Sequence, residues 1–260
     1  MGTAMRKHAD TPEHGTLANR VAVITGASRG LGRAIAIELA AEGASVALVG
    51  RDRAALEATA AECSSETAIF TADVSSEAQV AQLADQIQTR FGRVDILINN
   101  AGINLRKNLV DFTLEEWHHV METNVTSVFL MCRAILPLMR GRNFGRIVNL
   151  TSIMSHISLP GRTAYSASKT ALLGLTRALA LELAPEGITV VAISPGPFAT
   201  ELNTAAMNDP ETNRQFLAKL PVGRWGNPEE VGKLARFLCS EDAAFITGND
   251  ILIDGGWTAQ

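Results

Sequence analysis

Tyrosine is nearly absent: the chain has one, Tyr165, in 260 residues. Cysteine is scarce too. Cys63, Cys132 and Cys239 are odd in number and far apart, which leaves no disulfide framework and no metal-binding spacing. They read as small hydrophobes of a reducing compartment, and no metal is expected. No apolar run reaches the roughly 18–20 residues of a membrane helix. The opening MGTAMRKHADTPEHG is polar and lacks an apolar signal core. Residues 1–16 are therefore expected to form a flexible lead-in, and the protein to be cytoplasmic. Basic runs are missing, and the formal net charge is −4, which argues against a nucleic-acid partner. What remains is 47% hydrophobic and 19% charged, enough to build a sizeable core.

Short β-branched runs alternate with longer helical patterns. The strand candidates are 21–25, 45–50, 67–73, 95–100, 146–152, 188–194 and 250–254. Most are near-continuous apolar runs, as in strands covered on both faces of a parallel sheet. Helical patterns fall at 31–42, 52–62, 76–91, 114–140, 164–184 and 228–239, the last opened by Asn227 as N-cap and Pro228 in the first turn. The fold class is α/β: one Rossmann-type doubly wound parallel sheet of about seven strands, with helices on both faces, over residues 17–260. Residues 197–226 break the alternation. They are long, polar in the middle and bracketed by Pro and Gly, which predicts a substrate lid.

The stretch VAVITGASRGLGRAIAIEL joins the first strand to the first helix. Gly26, Gly30 and Gly32, with Ser28, Arg29 and Leu31 among them, form a turn whose amides can approach a pyrophosphate at the positive helix end. A glycine turn alone is weak evidence; its place between strand and helix makes it a dinucleotide site. An NAD site usually has an acid at the end of the second strand. Here Gly50 stands there and Arg51 follows, with Asp52 free to pair with an arginine or face solvent. Arginine grips a 2′-phosphate well, and Arg29 could help, so NADP(H) is favoured over NAD(H). Asp73 and Val74 follow the third strand, where an adenine edge could be read. Asn99, Asn100, Ala101 and Gly102 follow the fourth, as nucleotide contacts or as loop caps.

Tyr165 and Lys169 are an i, i+4 pair on one helix face. A phenol near pKa 10 is a poor acid–base group at neutral pH. The lysine is expected to lower it, letting Tyr165 exchange a proton with a carbonyl or alcohol oxygen. Ser152, at the end of the fifth strand, can bond the same oxygen.

The glycine turn, NNAG at 99–102, TNVTS around Asn124, Ser152 thirteen residues before Tyr165, and YSASK resemble the short-chain dehydrogenase/reductase family, over about residues 17–258. The resemblance implies a catalytic tetrad of Asn124, Ser152, Tyr165 and Lys169. Hydride would pass between the nicotinamide and substrate carbon, with Tyr165 handling the proton. Lys169 would also bond the nicotinamide ribose, and Asn124 would hold a relay water. SPGPFAT at 194–200 matches the stretch beside the nicotinamide carboxamide, with Pro195, Gly196, Phe198 and Thr200 as contacts and Pro197 as a departure from the pattern. NNAGINLRK, EEW, VGRWGNPEE and DGGW look most like gluconate 5-dehydrogenases and 2-deoxygluconate 3-dehydrogenases, which act on sugar acids. Substrate candidates are Asn104, Arg106, Lys107, His156 and Arg162. The alternatives are a 3-oxoacyl-carrier-protein reductase, whose acidic partner could meet RGRNFGR at 140–146, and a nucleotide-binding regulator without turnover. The resemblance also implies a homotetramer paired through helices 114–140 and 164–184. The apolar residues Ala167, Ala171, Leu172, Leu175, Ala178 and Leu179 lie on the second.

Overall fold

The strands are runs of Val, Ile, Leu and Ala because both of their faces are covered. In the computed structural model, which describes residues 15–260, they are β1 (Val21–Thr25), β2 (Ser45–Gly50), β3 (Thr67–Thr71), β4 (Ile96–Asn99), β5 (Gly145–Leu150), β6 (Ile188–Pro195) and β7 (Asp250–Ile253). All pair in parallel, in the order β3-β2-β1-β4-β5-β6-β7. The helices are α1 (Gly30–Ala41), α2 (Arg53–Ala60), α3 (Glu77–Phe91), α4 (Leu114–Met121), α5 (Ser127–Met139), α6 (Thr163–Leu183), α7 (Thr204–Asn208), α8 (Pro210–Ala218) and α9 (Pro228–Cys239). Residues 1–14 of the expected lead-in lie outside the described residues. Thr16 already bonds Glu42, through its backbone N–H and its hydroxyl, both at 2.9 Å.

Alternation along each strand divides the core in two. Ala22 and Ile24 of β1 point to the side that holds Ile35 and Leu39 of α1, Leu56 of α2 and Leu238 of α9. Val23 points to the other side, among Leu83 and Ile87 of α3, Ile135 of α5 and Leu172 of α6. Each fully buried Leu or Ile contributes about 1.5–3 kcal/mol, so a charge at Ile98, fully enclosed in the first cluster, would be among the most damaging single changes. The strand order reverses between β1 and β4, and ligands of such sheets bind beyond the carboxyl ends there.

Helix 228–239 begins and ends as expected, with a capping box between Asn227 and Glu230. The expected helix over 114–140 does not run through. A capping box at Thr113 and Glu116 starts α4. A widened π turn at Glu122–Thr126 then separates it from α5. The extra residue in that turn carries Asn124, fully buried, whose amide closes two bonds on Ile103: Oδ1 accepts from its N–H at 2.8 Å and Nδ2 donates to its carbonyl at 2.9 Å. The periodicity on either side continues, so the pattern alone does not reveal the interruption. Residues 197–226 hold α7 and α8. Their base is closed by Gly226 N–H donating to Pro197 O at 3.0 Å and Ala199 N–H donating to Gly226 O at 2.9 Å.

Candidate active site

A cavity of about 640 Å³ runs along the carboxyl ends of the strands, from the turn after β1 to the segment after β6. Its rim begins with Gly26, Ser28, Arg29, Gly30 and Leu31. Gly26 has φ +63°, and a Cβ there would lie 2.8 Å from Asn100 Nδ2. Gly32 does not face the cavity. Its missing Cβ lets α1 close on the turn, since an added one would lie 2.2 Å from Gly26 O and 2.4 Å from Asn100 Nδ2. The expected nucleotide contact at Gly32 is thus a packing contact.

Arg51 lines the cavity after β2, and neither it nor Arg29 pairs with a carboxylate among the described residues. Asp52 is occupied elsewhere, capping α2 by accepting from Ala55 N–H at 3.1 Å. Asp73 and Val74 line the cavity after β3. The Asp73 carboxylate accepts from the Ser75 hydroxyl at 2.6 Å and from the Ser75 N–H at 2.9 Å. These bonds, with Arg51 and His119 nearby, hold its pKa below the usual carboxylate value. Asn100, Ala101 and Gly102 line it after β4. Asn100 Nδ2 also donates to Thr25 O at 3.0 Å and to Gly26 O at 3.1 Å, so this asparagine ties β4 to the glycine turn. Asn99 is turned into the core, where Nδ2 donates to Asn149 Oδ1 at 2.9 Å. Pro195, Gly196, Phe198 and Thr200 close the far wall. The glycine cradle, the unpaired arginines and the start of α1 fit a dinucleotide phosphate backbone.

Ser152, Tyr165 and Lys169 meet at one end of this cavity. Ser152 ends the strand segment after β5, and its hydroxyl accepts from Met154 N–H at 3.1 Å. Tyr165 and Lys169 project from the first two turns of α6. The Lys169 ammonium donates to Leu150 O at 2.6 Å and lies 5.9 Å from the Tyr165 ring centroid. Burial drives its pKa down from 10.5 to about 8. For Tyr165 the structure corrects the expected electrostatics. Burial raises the phenol, opposed by Ser152 and by the charges of Arg162 and Arg106. The lysine is drawn toward Leu150, while the two arginines line the same cavity as the tyrosine. Asn124 does not line the cavity; besides its bonds to Ile103, its Nδ2 donates to Ser168 Oγ at 3.0 Å.

Of the substrate candidates, Asn104, Arg106 and Arg162 line the cavity. Asn104 Oδ1 is buried without a hydrogen-bond partner, and neither arginine is in an ion pair among the described residues. Lys107 is held by Glu116, with Nζ–Oε distances of 2.6 and 2.9 Å. His156 is a correction as well: its ring bonds Asp250 and points away from the cavity. Sequence reasoning missed the apolar wall of Met154, Leu159, Phe216 and Trp257. Phe216 stacks on Trp225 with centroids 5.0 Å apart and meets Trp257 at 5.6 Å. The apolar QFLAKL run inside an otherwise polar segment, and the closing DGGW, were the available signals. No cluster of three or more His, Cys, Asp or Glu suited to a metal occurs among the described residues.

Known proteins resemble this chain along most of its length. Residues 26–258 match the short-chain dehydrogenase model described as Enoyl-(Acyl carrier protein) reductase. A 3-oxoacyl-acyl-carrier-protein reductase of Haemophilus influenzae is 38% identical over 237 residues, 91% of this chain and 97% of that protein. Pseudomonas aeruginosa RhlG, solved as an NADP active-site complex, superposes with a TM-score of 0.88 at 40% identity, covering 93% of this chain and 97% of that one. A protein of Agrobacterium tumefaciens, provisionally assigned as a gluconate dehydrogenase, gives a TM-score of 0.89 at 35% identity, covering 94% and 98%. These likenesses span several substrates.

Proposed function

Since the chain belongs to the short-chain dehydrogenase/reductase family and is an NAD(P)-dependent oxidoreductase, we propose that it reduces a ketone carrying an anionic group to a secondary alcohol, with NADPH as hydride donor. The observation that carries this is the convergence of Ser152, Tyr165, Arg106 and Arg162 at one end of the dinucleotide cavity.

A nicotinamide held along the cavity would supply the hydride; the rest is the work of this chain. Because burial raises the Tyr165 phenol, it holds its proton at neutral pH. A protonated phenol is the form that donates to a carbonyl oxygen as it gains charge. Ser152 bonds that same oxygen and shares the developing charge. The buried Lys169 ammonium lies 5.9 Å from the Tyr165 ring centroid and would bond the nicotinamide ribose. Asn124 braces the loop at Ile103 that forms the opposite wall. Arg51, with Arg29, supports NADPH over NADH because both guanidiniums are free to bind a 2′-phosphate.

The wall of Met154, Leu159, Phe216 and Trp257 takes an apolar body, while Asn104, Arg106 and Arg162 take a polar, anionic end. That division favours a 3-oxoacyl compound, the substrate class of the Haemophilus relative. A sugar acid is the second reading. It is favoured by the partnerless Asn104 Oδ1, which a substrate hydroxyl would satisfy. NADPH oxidation with acetoacetyl-CoA, 5-ketogluconate and uncharged cyclic ketones separates the cases. Turnover of the first supports the 3-oxoacyl reading and of the second the sugar-acid reading. Preference for the uncharged ketones would sink the anionic assignment.

A further inference from the structure

Behind the active-site wall, a hydrogen-bonded chain runs from the surface to the main chain of Ser152. His156 Nε2 bonds Asp250 Oδ2, and Ser194 Oγ lies 2.8 Å from the same oxygen. Ser194 Oγ also lies 3.1 Å from Ser152 O and 2.8 Å from Thr151 Oγ1. Thr151 Oγ1 is 2.7 Å from Ile193 O and 3.2 Å from Asp250 Oδ1. Ser194 is fully buried and Thr151 3% exposed, while the His156 side chain is 34% exposed.

Building on the assignment of Ser152 and Tyr165 as the proton-donating pair, we propose that His156 and Asp250 are positioning residues which hold Ser152 against Tyr165 through the Ser194 hydroxyl. Hydroxyl hydrogens are scarce in this chain of contacts. Thr151 and Ser194 each carry one hydroxyl hydrogen. Five acceptors compete for them: Ile193 O, Ser152 O, the two Asp250 carboxylate oxygens and, because the two hydroxyls lie 2.8 Å apart, one of the hydroxyls itself; the two carbonyls also accept from the Thr151 and Ser155 N–H groups, both at 2.8 Å. Ser194 itself is out of reach of water, and the Asp250 side chain is 13% exposed. A carboxylate outcompetes a peptide carbonyl for a hydroxyl donor, because charge-assisted bonds are about twice as strong. When the His156 ring donates from Nε2, Asp250 is satisfied from outside, and Ser194 can give its hydrogen to Ser152 O. When the ring is removed, Ser194 turns to Asp250 and Ser152 loses that tether. The carbonyl belongs to Ser152, which lines the same cavity as Tyr165 and whose hydroxyl opposes the rise of the phenol, so the loss is felt at the proton donor. His156 touches neither cavity nor substrate; it acts through Asp250 and Ser194.

Because Tyr165 is the only tyrosine, its ionisation can be followed by the ultraviolet tyrosinate band without labelling and without knowing the substrate. The ionisation is titrated in the wild type, His156→Ala, His156→Gln, Ser194→Ala and the His156→Ala/Ser194→Ala double variant. Glutamine keeps an N–H donor near the position of Nε2. The expected result is a shift of Tyr165 to higher pH in His156→Ala and Ser194→Ala, and a wild-type titration in His156→Gln. The double variant should shift no further than Ser194→Ala alone, because the two residues act in series. With acetoacetyl-CoA and NADPH, kcat should fall several-fold in His156→Ala, as for loss of one bond of about 1 kcal/mol, with KM for NADPH unchanged. A wild-type titration in His156→Ala, failure of glutamine to restore it, or additive effects in the double variant overturns the proposal. If wild-type enzyme does not reduce acetoacetyl-CoA, the 3-oxoacyl reading fails, and the titration still decides this one. Melting curves of each variant identify any that lose the fold.

Discussion

At the scale of single residues, burial decides the chemistry. Tyr165→Phe removes the proton donor but no wall of the dinucleotide site. Turnover should fall by about 10²–10⁴-fold, while NADPH binding, followed by fluorescence, stays close to wild type. Loss of binding would make Tyr165 structural. Lys169 carries the opposite lesson. Its pKa in the fold is about 8, below the ordinary 10.5, so the fold disfavours the protonated form. That cost is fully present below pH 8 and fades as pH rises toward 10.5, where the unfolded chain also loses the proton. It is on the order of 3 kcal/mol, offset in part by the bond to Leu150 O. Lys169→Met should therefore melt higher than wild type at pH 7, with a smaller gap at high pH, and be inactive. A lower melting point at pH 7 would show that the Leu150 bond outweighs burial. Arg51→Ala should weaken NADP(H) by roughly ten- to a hundredfold, as for loss of charge-assisted bonds of about 1.5–3 kcal/mol. NAD(H) should be little affected, and equal losses for both cofactors would refute the 2′-phosphate assignment.

Elements act through how closely they approach. The first turn of α1 rests on Gly26 with no room for a methyl group at residue 32, where an added Cβ would lie 2.2 Å from Gly26 O. Gly32→Ala should push the helix off the turn, lowering the melting temperature and the affinity for NADPH together. An unchanged melting curve with intact binding would mean that the turn relaxes freely. The π turn at Glu122–Thr126 works the same way. It spends one extra residue to aim Asn124 inward at Ile103, and so fixes the loop that carries Asn104 and Arg106. The segment after β6 is joined to the site by aromatic contact, Phe216 against Trp225 and Trp257. We propose that it is the lid.

For the whole molecule, α6 divides the apolar residues noted in its sequence. Leu172 is buried against the sheet, and Leu175 and Leu179 are half-covered by the same core. Ala167, Ala171, Ala178 and Leu181 remain exposed, Leu181 at 81%. Phe129 of α5 is 49% exposed. A face of small residues with large apolar neighbours is poor to leave in water and flat enough for another helix. We propose that it pairs with a second chain in a tetramer; light scattering should give four chains, and a monomer mass would sink the idea. No helix among the described residues is long and apolar enough to cross a membrane.

Periodicity and turn chemistry are local, so the sequence alone determined the parallel α/β sheet, the glycine turn after β1 and the one-face pairing of Tyr165 with Lys169. It also showed Ser152 at a strand end. Whatever depends on residues far apart in the chain was decided only by tertiary structure. Lys107 and His156 had the right chemistry for substrate contacts, but Glu116 and Asp250, supplied by other elements, had already engaged them. Burial sets the direction of the Tyr165 shift, Arg106 from the loop after β4 is among the charges that oppose it, and Lys169 reaches the carbonyl of Leu150. A charge or donor acts on whatever the fold brings within a few ångströms, and the order of residues along a chain does not record that distance.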